Sequence, residues 1–144
     1  MLVGLPKYAG NAVRQRGSSP KLQVLNTALM TAQSGLSPQE ARTQGEFRGR
    51  LIESAVGAHL ANAAASGVGE LSYWRENNRD VDFVFRAGRV IVAIEAKSGR
   101  SPDSFAGLAD FSAAFKPKRT LIVGGNGIAL DEFLRKPVEH WVKS

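Results

Sequence analysis

Two runs of apolar residues, separated by a short gap that contains a glycine, predict a β-hairpin in the middle of the chain. The first run is Asp80–Phe85, the second is Val90–Lys97, and Arg86–Arg89 connects them. β-Branched and aromatic residues dominate both runs, as they do in strands that pack on a core. Because a hairpin folds the start of its first strand beside the end of its second, we expect these two ends to lie together.

The residues around the hairpin predict two helices and two further strands. The sequence Ser-Pro-Gln-Glu at 37–40 matches the start of a helix. Asn77 and Asn78 fit a tight turn, because asparagine tolerates positive φ. In chain order the predicted elements are a helix or helix pair over Ser37–Ala65, a strand over Glu70–Arg75, the two hairpin strands, a helix from Pro102 to about Phe115, and a strand over Thr120–Val123. This order predicts an α/β fold.

The hairpin gathers two carboxylates and an ammonium group at one end of the predicted sheet. Asp82 lies near the start of one strand and Glu95 near the end of the other, and the two-residue period of a strand puts Glu95 and Lys97 on one face. Glu95 follows a run of apolar residues, so its carboxylate needs a partner or a metal ion. Mg²⁺ or Mn²⁺ suits such a cluster, with Lys97 beside the attacking water or the phosphate. The alternative is a salt bridge at the strand end.

Glu53 is a further acidic residue on an apolar helical stripe, shared with Gly49, Val56 and Leu60. We therefore expect its carboxylate to face the core or a cleft. Two interpretations stay open from the residues alone. Glu53 is either a structural acid that pairs with an arginine or the third carboxylate of the metal cluster.

The positive charge of the chain is concentrated in its first third. The net charge is +6, and residues 1–50 carry seven of the 19 basic residues but only two of the 13 acidic ones. A basic flank beside an acidic metal site suits a nucleic acid, because arginines can hold the phosphate backbone. We expect DNA rather than RNA as the partner. The candidate contacts are Arg48, Arg50, Arg75 and Arg100. The alternative is a solvated basic face without a partner.

Composition limits the classes of protein that remain. The absence of cysteine excludes disulfides, thiolate metal sites and a cysteine nucleophile. No apolar run approaches the roughly 20 residues of a membrane-spanning helix, so we expect no membrane partner. The simplest location for such a chain is the cytoplasm.

Several blocks of sequence together resemble one family of the PD-(D/E)XK nuclease superfamily. That family is a bacterial and archaeal domain of unknown function usually found C-terminal to an AAA+ ATPase. The blocks are Gly49–Val56, Tyr73–Arg75, Asp80–Phe83 and Ile94–Ser98, with a weaker one at Ser19–Leu29. In the weaker block Asn26 replaces the usual acid and Ala28 the usual glycine, which limits its expected role to packing.

The resemblance implies a restriction-endonuclease-like αβββαβ core, with a central mixed β-sheet flanked by helices. It places Glu53, Asp82, Glu95 and Lys97 at the catalytic positions of the family, with Asp82, Glu95 and Glu53 as metal ligands. The whole chain, 1–144, is then one nuclease-like domain with its core at about 38–124. Residues 1–36 form an N-terminal strand and helix extension, and 128–144 a C-terminal helix or tail.

The chain contains no Walker A sequence, so an ATPase module would have to come from elsewhere, and we expect a fragment of a larger ATPase-linked architecture. Leu2, Val3 and Leu5 would then be exposed and promote homo-oligomers. Two functions follow. The first is a Mg²⁺-dependent DNA endonuclease that hydrolyses phosphodiester bonds. The second is a non-catalytic DNA- or protein-binding module that serves an AAA+ ATPase.

Overall fold

The computed structural model describes residues 2–8, 21–24, 45–97 and 105–143. Within them the elements are β1 (Leu2–Leu5), β2 (Lys21–Val24), α1 (Gly45–Ala65), β3 (Glu70–Glu76), β4 (Arg79–Ala87), β5 (Val90–Lys97), α2 (Ala106–Phe115), β6 (Arg119–Gly124), α3 (Leu130–Arg135) and α4 (Val138–Lys143). The predicted helix starts at Ser37 and Pro102 lie outside the described residues, as do Asn26, Ala28 and Arg100.

Four strands form the central sheet, in the order β3-β4-β5-β6. β3 and β5 both run antiparallel to β4, whereas β6 runs parallel to β5. The turn between β3 and β4 is made by Asn77 and Asn78, whose φ angles are 50° and 62°. Such positive values at both positions match the right-handed twist of a hairpin. The structure confirms an α/β fold with a central mixed sheet flanked by helices.

The sheet separates two apolar clusters, one on each face. Ile52, Val56 and Leu60 of α1 pack on Phe83 and Phe85 of β4. On the other face, the α2 residues Leu108 and Phe111 pack against Trp74, Val81 and Val84. The core is therefore built from both faces of the hairpin. None of the described helices combines the length and the apolar character needed to cross a membrane.

The C-terminal segment contributes to the hydrophobic core on the α1 side of the sheet. Phe133 of α3 and Val142 of α4 are fully buried in the α1-side cluster. The indole N–H of Trp141 donates to the carbonyl oxygen of Phe133 at 3.1 Å, so the polar edge of this buried ring is satisfied. The two short helices thus pack against α1 in the same apolar cluster.

The N-terminal segment attaches to the edge strand β3. The backbone N–H of Tyr8 donates to the oxygen of Tyr73 at 2.6 Å, and the N–H of Tyr73 donates to the oxygen of Pro6 at 3.1 Å. Leu5 is only 3% exposed, so the expectation that it is exposed is wrong: it fills the α1-side core. Val3 is exposed, and the side chain of Leu2 lies outside the described part of the chain.

Gly124 allows β6 to approach the end of β5, which carries Lys97. Its φ is +88°, and a Cβ atom there would lie 2.0 Å from the carbonyl oxygen of Lys97. Gly67 has the same φ of +88°, but a Cβ atom would meet nothing within 4 Å. A side chain at Gly67 would therefore cost backbone strain alone, whereas a side chain at Gly124 would cost the same strain and a steric clash as well.

We expect Gly124→Ala to lower the free energy of unfolding clearly more than Gly67→Ala does. Gly67→Ala should cost about 1–2 kcal/mol, the strain of a left-handed alanine, whereas Gly124→Ala must also move the backbone of Lys97. Urea unfolding of both variants measures the difference. Equal losses would show that the approach of the two strands is not tight.

Candidate functional site

A β-bulge in β4 places Asp82 at the end of the hairpin. Ser72 pairs with Val84 and Trp74 with Val81, so one residue of β3 opposes two of β4, Asp82 and Phe83. A bulge adds one residue to a strand and changes the direction of the side chains there. In β4 the bulge interrupts the regular alternation of side chains at Asp82, one of the predicted site residues.

The carboxylate of Asp82 takes over the pairing of β5 where the regular ladder between β4 and β5 stops. The last pair of that ladder is Phe83 with Ile94. Beyond it, the backbone N–H of Ala96 donates to Oδ2 of Asp82 at 3.0 Å. The side chain thus accepts a hydrogen bond from an amide that would otherwise have paired with the backbone of β4. This hydrogen bond fixes Asp82 relative to β5.

Glu95 is a buried carboxyl group beside Asp82. Its residue is only 2% exposed, and its carboxyl is hydrogen bonded to that of Asp82. Burial, and next the negative charge of Asp82, raise the pKa of Glu95 from 4.5 to about 9, against a smaller lowering by Lys97. Two carboxylates this close cannot both be ionised without a cation. Without bound metal, Glu95 is therefore protonated at neutral pH.

Lys97 shares the Glu95 face of β5. Val92 and Ile94 belong to the α1-side core and Ala93 to the α2-side cluster, so alternation along the strand puts Glu95 and Lys97 on the α2 side. Lys97 is partly exposed, and its charge acts on Glu95. The predicted convergence of Asp82, Glu95 and Lys97 at one end of the hairpin is what the structure contains.

Glu53 does not join these residues as a free carboxylate. Its Oε1 lies 2.6 Å from Nζ of Lys21 in a partly buried ion pair. It projects from α1, on the opposite side of the sheet from Glu95. The partner expected for a structural acid was an arginine, and the observed partner is a lysine of β2. Among the described residues, no group of three or more His, Cys, Asp or Glu side chains is arranged to hold a metal ion.

Lys21 is the site residue that sequence reasoning missed. Besides Glu53, its Nζ contacts the backbone oxygen of Asp82 at 3.5 Å and lies 5.1 Å from the ring centroid of Phe83. The sequence block that contains Lys21 was expected only to pack. The sequence shows only a lysine at the start of a short apolar strand. Its role becomes visible in the structure, where Lys21 contacts both α1 and β4.

The predicted arginine contacts are spread over two elements. Arg48 and Arg50 are exposed in the first turns of α1. Arg75 of β3 is exposed and lies 3.8 Å from Asp80 in an ion pair. Arg100 is outside the described residues. The arginines of α1 precede Glu53 by three and five residues, about one turn of the helix.

The donor set of Asp82 and Glu95 fits a hard divalent cation. Mg²⁺ is often held by one or two carboxylates, with water and substrate phosphate oxygens as the other ligands. The repulsion that raises the pKa of Glu95 is also what a cation would relieve. Two carboxylates and a neighbouring ammonium group are therefore compatible with metal-assisted phosphate chemistry.

The fold and the acidic pair define a mixed α/β domain with a buried carboxyl cluster at a strand end. Residues 48–134, more than half of the chain, match the domain of unknown function DUF4143, and the chain belongs to this family. The matched segment contains most of α1, the whole central sheet, α2 and most of α3. No curated protein and no solved structure matches the chain.

We expect the metal-free protein to lose stability as pH rises from about 4.5 to 9, and Glu95→Gln to remove much of that loss. Because the pKa of Glu95 is higher in the folded state, its contribution is complete below pH 4.5 and declines until about pH 9. The glutamine amide resembles the protonated carboxyl, so this variant should be the more stable protein at pH 8 in EDTA. Urea unfolding at pH 5 and pH 8 measures both proteins.

Glu139→Gln is the control, since Glu139 lies in α4, away from the acidic pair. It should keep the pH dependence of the wild type. Parallel pH profiles for wild type and Glu95→Gln would contradict a buried, protonated Glu95.

Proposed function

We propose that this domain is a Mg²⁺- or Mn²⁺-dependent DNA endonuclease that hydrolyses phosphodiester bonds. The observation that carries the proposal is the buried Glu95 carboxyl, hydrogen bonded to Asp82 and followed two residues later by Lys97. Burying an acidic pair costs free energy, and such costs concentrate at functional sites. The PD-(D/E)XK nuclease fold, suggested by the sequence resemblance and compatible with the order of elements, supports the same activity.

Asp82 and Glu95 would hold the cation, which supplies Lewis-acid activation of water and stabilisation of the phosphate charge. The Ala96 N–H keeps one carboxylate oxygen of Asp82 in place. Lys97, on the same face as Glu95, can donate to the attacking water or to a non-bridging phosphate oxygen. Its positive charge would offset the negative charge that develops during hydrolysis.

The basic N-terminal part of α1 would hold the DNA backbone. Arg48 and Arg50 are exposed on the helix that also carries Glu53. Arginine contacts to phosphates position a duplex without reading its sequence. Arg75 and Arg100 are the remaining candidate contacts, from β3 and from the segment after β5.

A non-catalytic module is the second candidate function, and the Glu53–Lys21 ion pair favours it. An acid that is paired at 2.6 Å with a lysine is not free to bind metal. As a non-catalytic module, the domain would bind DNA or a protein without cleaving it. The sequence resemblance suggests an AAA+ ATPase as its partner. We place either activity in the cytoplasm, and self-association of the domain stays a prediction.

The nuclease proposal predicts metal-dependent nicking of supercoiled plasmid that Glu95→Ala and Lys97→Ala both abolish. Removing a metal ligand or the neighbouring ammonium group should lower the rate at least about 100-fold. The variants and the wild type are purified identically, with Lys143→Ala, at the C-terminal helix, as the matched control. Equal nicking by all four proteins would indicate a contaminating nuclease. DNA binding without cleavage would support the binding module.

We expect Arg48→Ala to weaken DNA binding and to reduce the slope of log affinity against log salt by about one. The loss should be similar for different DNA sequences, because the contact is to phosphate. Fluorescence anisotropy over a salt series measures both quantities. Arg135→Ala is the control, since Arg135 is also exposed but pairs with Asp131 on α3. An unchanged slope for Arg48→Ala would remove this arginine from the interface.

A further inference from the structure

The Lys21 ammonium group joins three elements at the bulge of β4. It contacts the Glu53 carboxylate from α1 at 2.6 Å and the Asp82 carbonyl oxygen from β4 at 3.5 Å, and it lies over the ring of Phe83. The contacts come from two separate parts of the chain, Glu53 from α1 and the neighbouring residues Asp82 and Phe83 from β4. A partly buried ammonium held by a carboxylate, a carbonyl and a ring face has little freedom to move.

The rest of the chain fixes where this ammonium group lies. Lys21 pairs with Leu5 in the β1–β2 hairpin, and Leu5 is buried in the core. The residues after Leu5 are hydrogen bonded to β3 through Tyr73. The segment is therefore anchored to the core at Leu5, the position that pairs with Lys21, and to the sheet edge at the residues directly after it.

The bulge is the part of the site that most needs such support. Asp82 lies in it, outside the regular ladder between β4 and β5. The hydrogen bond from Ala96 to Oδ2 holds the side chain of Asp82. On the backbone side, Nζ of Lys21 contacts the Asp82 carbonyl oxygen at 3.5 Å. An aspartate whose backbone shifts would lose its position beside Glu95.

We propose that Glu53 and Lys21 form a positioning pair, in which Glu53 orients Lys21 and Lys21 holds the Asp82 bulge, so that Glu53 acts through Lys21 and not as a metal ligand. This assignment rests on the proposed metal site only for its effect on metal binding. The effect on Asp82 itself requires no metal. It follows from the ion pair and from the location of Glu53 on the other side of the sheet from Glu95.

The direction in which the loss of Lys21 changes the affinity for a divalent cation distinguishes a positioning role from a purely electrostatic one. If Lys21 acted only through its charge, removing that charge beside an acidic site would tighten the binding of a divalent cation. If Lys21 positions Asp82, its removal weakens binding. A ligand role for Glu53 predicts that Glu53→Gln weakens binding whether or not Lys21 is present. A positioning role predicts that the two substitutions are not additive.

The first experiment measures amide hydrogen exchange of Ala96 by NMR in the metal-free protein. Its N–H is protected by Asp82, so a displaced bulge exposes it. We expect Lys21→Met and Glu53→Gln each to lower the protection of Ala96 by about tenfold, roughly the loss of one hydrogen bond. The double variant should lose no more than the worse single variant. Lys21→Arg, which keeps the ion pair, should retain most of the protection.

Lys7→Met is the matched control, because Lys7 lies on the same N-terminal segment and pairs with Glu76 at 3.6 Å. It breaks an ion pair that involves neither Asp82 nor Glu53, so it should leave Ala96 protected. Wild-type protection of Ala96 in both Lys21→Met and Glu53→Gln would overturn the inference. A loss common to all amides would also overturn it, since the pair would then only stabilise the fold.

The second experiment is a titration with Mn²⁺ followed by thermal unfolding. Positioning predicts a several-fold weaker midpoint for Lys21→Met, for Glu53→Gln and for the double variant alike. Tighter binding by Lys21→Met, or additive losses, would overturn the inference. No response of the wild type to Mn²⁺ would count against the proposed function alone, because the exchange of Ala96 decides the positioning role without metal.

Discussion

The burial of Glu95 beside Asp82 is the constraint on which the rest of this structure depends. An ionised carboxylate in an apolar region is strongly unfavourable, and a second one next to it adds repulsion. The pair persists because Glu95 takes up a proton, which its pKa of about 9 permits at neutral pH. The protonated carboxyl then donates to Asp82, so that one proton serves both groups. A divalent cation would replace that proton at the same place. The proposed metal ion would thus relieve the same repulsion that the proton on Glu95 relieves.

The bulge in β4 lets a polar pair exist at the end of an apolar hairpin. Had β4 continued its regular pairing with β5, the Ala96 N–H would bond to backbone and the carboxylate of Asp82 would have no place between the strands. The extra residue ends the ladder and admits the side chain as a substitute acceptor. The same irregularity leaves the backbone of Asp82 without the support of a full ladder. Lys21, held by Glu53, contacts the backbone at this weak point.

Local sequence predicted the elements well because each had its own signal. The strands β4 and β5 appeared as β-branched runs, the Asn77–Asn78 turn as residues that tolerate positive φ, and the proximity of Asp82 and Glu95 followed from hairpin geometry alone. The partner of Glu53 depended on a contact between residues 32 positions apart, which no local pattern contains. The bulge depended on the pairing of β3 with β4, and a stretch of alternating residues does not show where an extra residue is inserted. The burial of Leu5 was likewise decided by distant residues, those of the α1-side core.

The N-terminal strands β1 and β2 link the edge of the sheet to the end that carries Asp82. An edge strand exposes unpaired N–H and C=O groups, and proteins commonly cover them. Here the residues after β1 pair with Tyr73 of β3, directly opposite the two bulged residues of β4. That attachment brings β1, and with it β2, close to Asp82. The position of Lys21 follows from this attachment. β2 pairs with β1, and its first residue, Lys21, lies beside Leu5 and near the bulge. Protection of the sheet edge and support of the acidic pair are in this way performed by one segment of chain.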